Sequence, residues 1–142
     1  MNWQILAITT PLFFVAYQSL SKLLPKTVSI FLINAYASLI GLLVMVTLHL
    51  LLSPNKSFSL GIRELLLAIG IGALISLGNF GIIKAYNLGA PQSIFTPIYY
   101  IALIIYGVLV GLLIWHEKIN ITQLLGALLS IAGIIMVIYF KK

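Results

Sequence analysis

Few residues in this chain have side chains suited to catalytic or metal chemistry. His116-Glu117 begins the H-E-x-x-H pattern of a zinc site, but position 120 is asparagine, so the second histidine is missing. The sequence contains no cysteine, no aspartate and no G-x-S-x-G motif, which excludes thiol chemistry and an aspartate-oriented histidine. His49 has no charged residue close to it in sequence. We therefore predict no catalytic residue, no metal and no cofactor, and we do not expect an enzyme.

Lys84 is the charged residue that stands apart, because it lies inside the end of a long apolar stretch. A cation within hydrocarbon is costly enough to suggest a function, here a counter-charge for an anionic or zwitterionic solute. The alternative is that its ammonium group snorkels to the lipid headgroups, since the helix end is about one turn away. Glu64 and Glu117 both lie at the boundaries of such stretches, so no carboxylate is expected to offset a purely cationic solute.

Five apolar stretches must position these side chains, and nearly all charged residues fall between or beyond them. The stretches are residues 3–20, 28–52, 65–86, 94–115 and 121–140. Each is close to the ~20 residues that a helix needs to cross ~30 Å of hydrocarbon, and none shows the regular polar face of a soluble helix. We predict an all-α integral membrane protein in which five transmembrane helices form one domain over residues 1–142. We expect it to be a multi-pass protein of the plasma (inner) membrane.

Composition and charge agree with this class. The chain is 62% hydrophobic and 7% charged, and its formal net charge is +6, whereas soluble domains are about one-quarter charged. The basic residues lie mostly at the predicted helix ends, where they favour contact with anionic headgroups. A lipid bilayer is therefore a predicted partner, and nucleic acid is not.

Polar side chains form coherent faces on three of the predicted helices at 100° per residue. These faces predict a polar cavity between helices one, three and four, with the almost purely apolar helix five outside it. The alternative for each polar residue is an ordinary hydrogen bond between helices. The side chains expected to meet a solute are Tyr17 and Gln18 on helix one, Asn79, Lys84 and Tyr86 on helix three, and Tyr100 on helix four.

Small residues recur at three- or four-residue spacing on the last two helices, where they allow backbones to approach closely. Gly107 and Gly111 lie on helix four, and Gly126, Ser130 and Gly133 lie on helix five. Two interpretations remain open: packing within one subunit, or a dimer interface that helix five is best suited to form.

A recognisable pattern runs through the same two helices. Pro97 lies early in helix four, Glu117 closes it, Gln123 and Gly126 form a Gln-x-x-Gly motif, and Gly133 follows one heptad later. This pattern resembles the EamA domain of the drug/metabolite transporter superfamily. The resemblance implies a domain of about five helices and a secondary transporter of metabolites, amino acids or lipid-linked sugars, usually outward.

The resemblance also implies how the chain assembles. Most members of the family join two such domains in one chain, and an odd number of spans makes the two domains inverted relative to each other. A single-domain, half-size member is expected to restore this symmetry as an antiparallel, head-to-tail homodimer, or with an oppositely oriented paralogue, and to use alternating access.

We therefore expect a small-molecule substrate that is polar or amphipathic, and neutral, zwitterionic or anionic. The alternative is an accessory membrane subunit of a larger transporter or lipid-linked sugar flippase, held by its small-residue surfaces and without independent transport.

Overall fold

The computed structural model describes residues 3–139, apart from the side chain of Val137, and this part of the chain forms five α-helices. Each predicted stretch corresponds to one helix, so the prediction of an all-α protein is confirmed. Phe140, the end of the fifth predicted stretch, lies outside the described residues. The helices are α1 (Trp3–Lys22), α2 (Ile30–Leu52), α3 (Ile62–Asn87), α4 (Gln92–Leu113) and α5 (Ile121–Tyr139).

Three of these helices, α2, α3 and α4, are long and apolar enough to cross a membrane. The apolar part of α5 is shorter, at Ile121–Met136, so membrane crossing by α1 and α5 stays a prediction. In α2 no described side chain is buried. An apolar helix with so much exposed surface requires hydrocarbon or another apolar surface around it.

Local signals explain where the helices begin. Ser29 caps α2, because its hydroxyl oxygen accepts a hydrogen bond from the Leu32 amide at 3.4 Å. α3 begins at Ile62, three residues before the predicted stretch, and Glu64 lies in its first turn. A carboxylate there is favourable beside the positive end of the helix dipole, so this charged residue extends the helix instead of preceding it.

The chain divides into two compact units with the boundary between Gly89 and Ala90. In the first unit, α1 and α2 both pack against α3. The rings of Phe31 and Phe80 stack 5.4 Å apart, and the Asn34 Nδ2 donates to the Ser76 carbonyl at 2.9 Å. These pairs run in opposite directions along the two helices, so α2 and α3 are antiparallel.

Gly89 follows the end of α3 and has φ 92, which is the left-handed conformation that glycine often adopts after a helix. Its amide donates to the Tyr86 carbonyl at 2.9 Å, so one of the free carbonyls at the helix end is satisfied. Only a residue without Cβ adopts this backbone at little cost.

In the second unit, α4 and α5 pack against each other. α4 ends at Leu113, two residues before the predicted stretch. The amide of Trp115 donates to Val110 and that of Glu117 donates to Gly111, so the chain turns back over the last turn of α4. α5 then begins with a capping box, because the Asn120 amide donates to the Gln123 side-chain oxygen at 2.9 Å.

The turn between α4 and α5 carries backbone strain at His116, whose φ is 52. We expect His116→Val to lower the free energy of unfolding by about 1 kcal/mol, because a β-branched side chain tolerates the left-handed region poorly. His116→Gly should be neutral or slightly stabilising, since the relief of strain is opposed by glycine's entropy in the unfolded chain. Thermal unfolding in detergent measures both. Lys118→Val in the same turn is the control, and an equal loss there would contradict the assignment of strain to His116.

Candidate functional site

A cavity of about 860 Å³ lies in the first unit, with walls from α1, α2 and α3. We call it the mid-helix cavity. It is open on one side, because several of its wall residues, Phe13 and Met45 among them, are exposed. Its walls are Phe13, Phe14 and Tyr17 from α1, Ala37, Ser38, Gly41 and Met45 from α2, and Gly72, Ile75, Ser76 and Asn79 from α3.

The cavity is level with the middle of its helices. Gly41 lies eleven residues from Ile30 and eleven from Leu52, or about 16 Å from either end of α2 at 1.5 Å per residue. Phe13 and Ile75 lie equally close to the midpoints of α1 and α3. When α2 and α3 cross a bilayer, the cavity is therefore at the depth of the acyl chains.

Two glycines on facing helices leave this space open. A Cβ added to Gly41 of α2 or to Gly72 of α3 would meet no atom within 4 Å in the described part of the chain. Glycine at these positions therefore widens the cavity, and no close backbone contact requires it.

The structure brings together two of the predicted site residues, Tyr17 and Asn79, at the wall of this cavity. The Tyr17 hydroxyl donates to the backbone carbonyl of Asn79 at 3.4 Å. The Asn79 side chain makes no hydrogen bond to any residue between 3 and 139 in the structure, so its amide group is available to a solute. The role of both residues in binding a solute stays a prediction.

Gln18 and Tyr86 also meet, but inside the contact between α1 and α3. Gln18 is completely buried and Tyr86 nearly so, and the Tyr86 hydroxyl donates to the Gln18 Oε1 at 3.1 Å. Neither side chain lines the mid-helix cavity. In this structure the pair links the two helices that form two of the cavity's walls.

We expect Tyr86→Phe to lower stability by about 0.5–2 kcal/mol, the range measured for hydrogen bonds between membrane helices. A double-mutant cycle with Gln18→Met, followed by unfolding in detergent, isolates the coupling between the two side chains. Tyr106→Phe is the control, since that tyrosine is exposed on α4. Coupling close to zero in the cycle would show that the contact contributes nothing to the fold.

The structure does not bring Lys84 into this group. The Lys84 side chain is exposed, and its position is five residues beyond Asn79, or about 140° around α3 at 100° per residue. Tyr100 belongs to the second unit, where its ring packs edge-to-face on that of Tyr99, 5.5 Å away. Their proposed contact with a solute stays a prediction.

The wall from α2 was not predicted. Ser38, Gly41 and Met45 lie three to four residues apart on one helical face, and Asn34 precedes them by one turn. This run of residues was the sequence feature that could have indicated a cavity wall on α2. The feature is weak, because the Ser38 hydroxyl donates to the Asn34 carbonyl at 2.8 Å. A serine bonded within its own helix resembles any other helical serine in sequence.

The small residues of the second unit have different surroundings. Gly111 is buried, and a Cβ there would lie 2.8 Å from a carboxylate oxygen of Glu117, so glycine makes room for that side chain. A Cβ on Gly107, Gly126 or Gly133 would meet no described atom within 4 Å.

Ser130 bonds within its own helix, since its hydroxyl donates to the Gly126 carbonyl at 2.8 Å. A smaller cavity of about 340 Å³ lies between the end of α4 and the start of α5. Its walls include Gly107, Gly111 and Glu117. The role of the small residues in helix packing or in a dimer stays a prediction.

Among the described residues, no group of three histidine, cysteine, aspartate or glutamate side chains is placed to hold a metal ion. The chemistry of the mid-helix cavity is therefore that of its own side chains, which are aromatic and aliphatic walls, hydroxyl groups and one carboxamide. Such a cavity can bind a small molecule by apolar contact and orient it with a few hydrogen bonds.

Comparison with known proteins gives a family. The model of the EamA-like transporter family matches residues 1–139. No curated protein and no solved structure matches the chain.

Proposed function

The chain belongs to the EamA-like transporter family, and from this premise we propose that it moves a small polar or amphipathic solute across a membrane by alternating access. We propose further that transport is outward, across the plasma (inner) membrane. The family and the long apolar helices support a membrane transporter, and the direction and the solute are parts of the proposal.

The observation that carries the proposal is the mid-helix cavity. Its volume of about 860 Å³ is in the range of sites for drug-sized molecules. Polar groups in hydrocarbon are costly unless they are bonded or serve a function, and the uncommitted Asn79 side chain lies at this depth. A solute that pairs with it would explain why the polar group is there.

We propose that the transporting unit is a head-to-tail pair, formed by two copies or by the chain and an oppositely oriented paralogue. A chain with five spans is asymmetric across the bilayer, so the cavity of a single copy has no equivalent that faces the opposite side of the membrane. Two inverted copies present equivalent cavities to opposite sides, which is the geometry that alternating access requires.

Counterflow into proteoliposomes that contain only this protein tests the proposal. Vesicles loaded with one unlabelled solute from a panel of amino acids, nucleosides and small amides should accumulate the same labelled solute, and empty vesicles should not. Counterflow needs no coupling ion, so the test does not depend on the energy source. If no solute is accumulated while the protein remains folded and copurifies with one stoichiometric membrane protein, the transport proposal is wrong.

One observation favours a second candidate, the accessory subunit. Gly107, Gly126 and Gly133 are exposed, and a Cβ on each would meet no described atom within 4 Å; small residues of this kind let a partner helix approach closely. Under this proposal the chain would stabilise a larger transporter or a lipid-linked sugar flippase and would carry no solute alone. The copurification arm of the counterflow experiment distinguishes the two candidates.

A further inference from the structure

No described residue that lines the mid-helix cavity carries a charge at neutral pH. Among its lining residues, Tyr17 is the one with an ionisable side chain, and Lys84 lies elsewhere on α3 with its side chain exposed. The other charged residues of the first unit lie at helix ends or in the loops between helices. A solute in this cavity would therefore find no counter-charge at the same depth.

The lack of a counter-charge matters because of the depth of the cavity. Gly41 lies at the midpoint of α2, where a charge is furthest from water and headgroups. An ion there keeps its hydration or acquires a partner, because hydrocarbon provides neither. The walls described above provide no ionic partner, so they favour an uncharged solute over its anionic or cationic analogue.

Hydrogen-bonding groups in the cavity define the polar part of that solute. The hydroxyl proton of Ser38 is donated to a backbone carbonyl at 2.8 Å, so its oxygen can still accept. The Asn79 carboxamide makes no hydrogen bond within residues 3–139 and offers both N–H donors and an acceptor oxygen. A group that donates and accepts at adjacent atoms, such as a primary amide, complements this arrangement.

The remaining walls define the rest of the solute. Phe13, Phe14 and Ile75 present aromatic and branched apolar surface to the cavity, and such surface is best covered by an apolar body. We infer that the mid-helix cavity takes an uncharged solute with an aromatic or branched apolar body and one amide-like polar group. This inference rests on the proposed transport function, since it names the class of substrate for the same site.

Three compounds that share one apolar body and differ in charge test the inference: hydrocinnamamide, hydrocinnamate and phenylpropylamine. Their binding to the full chain in nanodiscs is measured by equilibrium dialysis at neutral pH. We expect the amide to bind at least about tenfold more tightly than either ion, given the cost of an unpaired charge at mid-bilayer depth. Gly72→Leu, which fills the cavity, should abolish binding of the amide, whereas Gly70→Leu on the same helix should not.

Asn79 variants then examine the proposed contact. Asn79→Asp should weaken the amide and strengthen phenylpropylamine by about tenfold each, because a carboxylate now provides the missing counter-charge. Asn79→Leu, which inserts without a polar cost, should weaken the amide and leave both ions weak.

Several results would overturn the inference. Hydrocinnamate bound as tightly as the amide, and lost in Lys84→Met, would show that the lysine anchors an anion. If none of the three compounds binds, the cavity holds no solute of this class. Cross-linking of a phospholipid at Gly72 would lead to the same conclusion. The amide bound but never transported in counterflow would instead refute the transport proposal and leave the ligand class standing. If a charged solute were transported and Gly72→Leu blocked that transport, the transport proposal would stand and the inferred ligand class would be wrong.

Discussion

Leucine at Gly72 should stop transport while the protein stays folded. The Cβ and the rest of the side chain enter the mid-helix cavity, where a Cβ would meet no described atom within 4 Å. The substitution therefore fills space that a solute needs and creates no clash with the backbone. We expect transport to fall at least about tenfold, because each 1.4 kcal/mol of lost binding is a factor of ten. Stability should rise by up to about 1 kcal/mol, since leucine is a far better helix former than glycine.

Gly70→Leu is the matched control. Gly70 lies two residues earlier on α3, and a Cβ there also meets no described atom within 4 Å, but the residue does not line the cavity. It faces the other side of the helix, about 200° away. Gly41→Leu repeats the test from α2. Counterflow in proteoliposomes and thermal unfolding measure the two effects. Normal transport by both cavity variants would show that the solute passes elsewhere.

Fixing the orientation of the chain should abolish transport, and mixing two opposite orientations should restore it. If all five helices cross the membrane as predicted, three basic residues lie on one side and four on the other, or five counting Lys84. This imbalance is too small to fix the topology firmly. The first side has Lys56, Arg63 and Lys118, and the second has Lys22, Lys26, Lys141 and Lys142. We therefore expect wild-type C-terminal reporters to give signal from both faces of the membrane.

Neutralising one side should produce a single orientation. Glutamine at Lys56, Arg63 and Lys118 should keep the C-terminus cytoplasmic, whereas glutamine at Lys22, Lys26, Lys141 and Lys142 should favour the opposite orientation. Neither variant alone can form a head-to-tail pair, so each should be inactive in cells that lack a paralogue. Coexpression should recover transport.

The control for this experiment is the double variant Arg63→Lys with Lys56→Arg. It keeps every charge and should retain dual orientation. Transport by one fixed-orientation variant on its own would contradict the head-to-tail pair. Transport that appears only with a second gene product would instead favour a paralogue as the partner.

Sequence alone determined the helices and their approximate ends. Hydrophobicity and stretch length are properties of consecutive residues, and a chain in hydrocarbon must satisfy its backbone hydrogen bonds within each helix. The left-handed backbone at Gly89 is also a local feature, because glycine commonly ends a helix in this conformation. The errors at the ends are local too. Glu64 was placed at the boundary before the third stretch, although a carboxylate is favourable in the first turn of a helix.

Sequence also placed polar residues on faces, but it did not determine which part of a face meets another helix. The predicted polar face on α3 is broad: it includes Asn79 at the cavity and Lys84 on the exposed side, about 140° apart around the helix. Tyr86 lies close to the Asn79 direction but two turns further along, where α1 covers it and Gln18 accepts its hydrogen bond.

Only the tertiary structure decided these positions. Residue spacing gives the direction of a side chain from its own helix axis, whereas the partner at that height depends on how helices cross and rotate. In sequence, Gly41 and Gly72 cannot be distinguished from glycines that permit close packing of helices, yet here they border open space. The wall from α2 was missed for the same physical reason, since a cavity is defined by where side chains are absent on several helices at once.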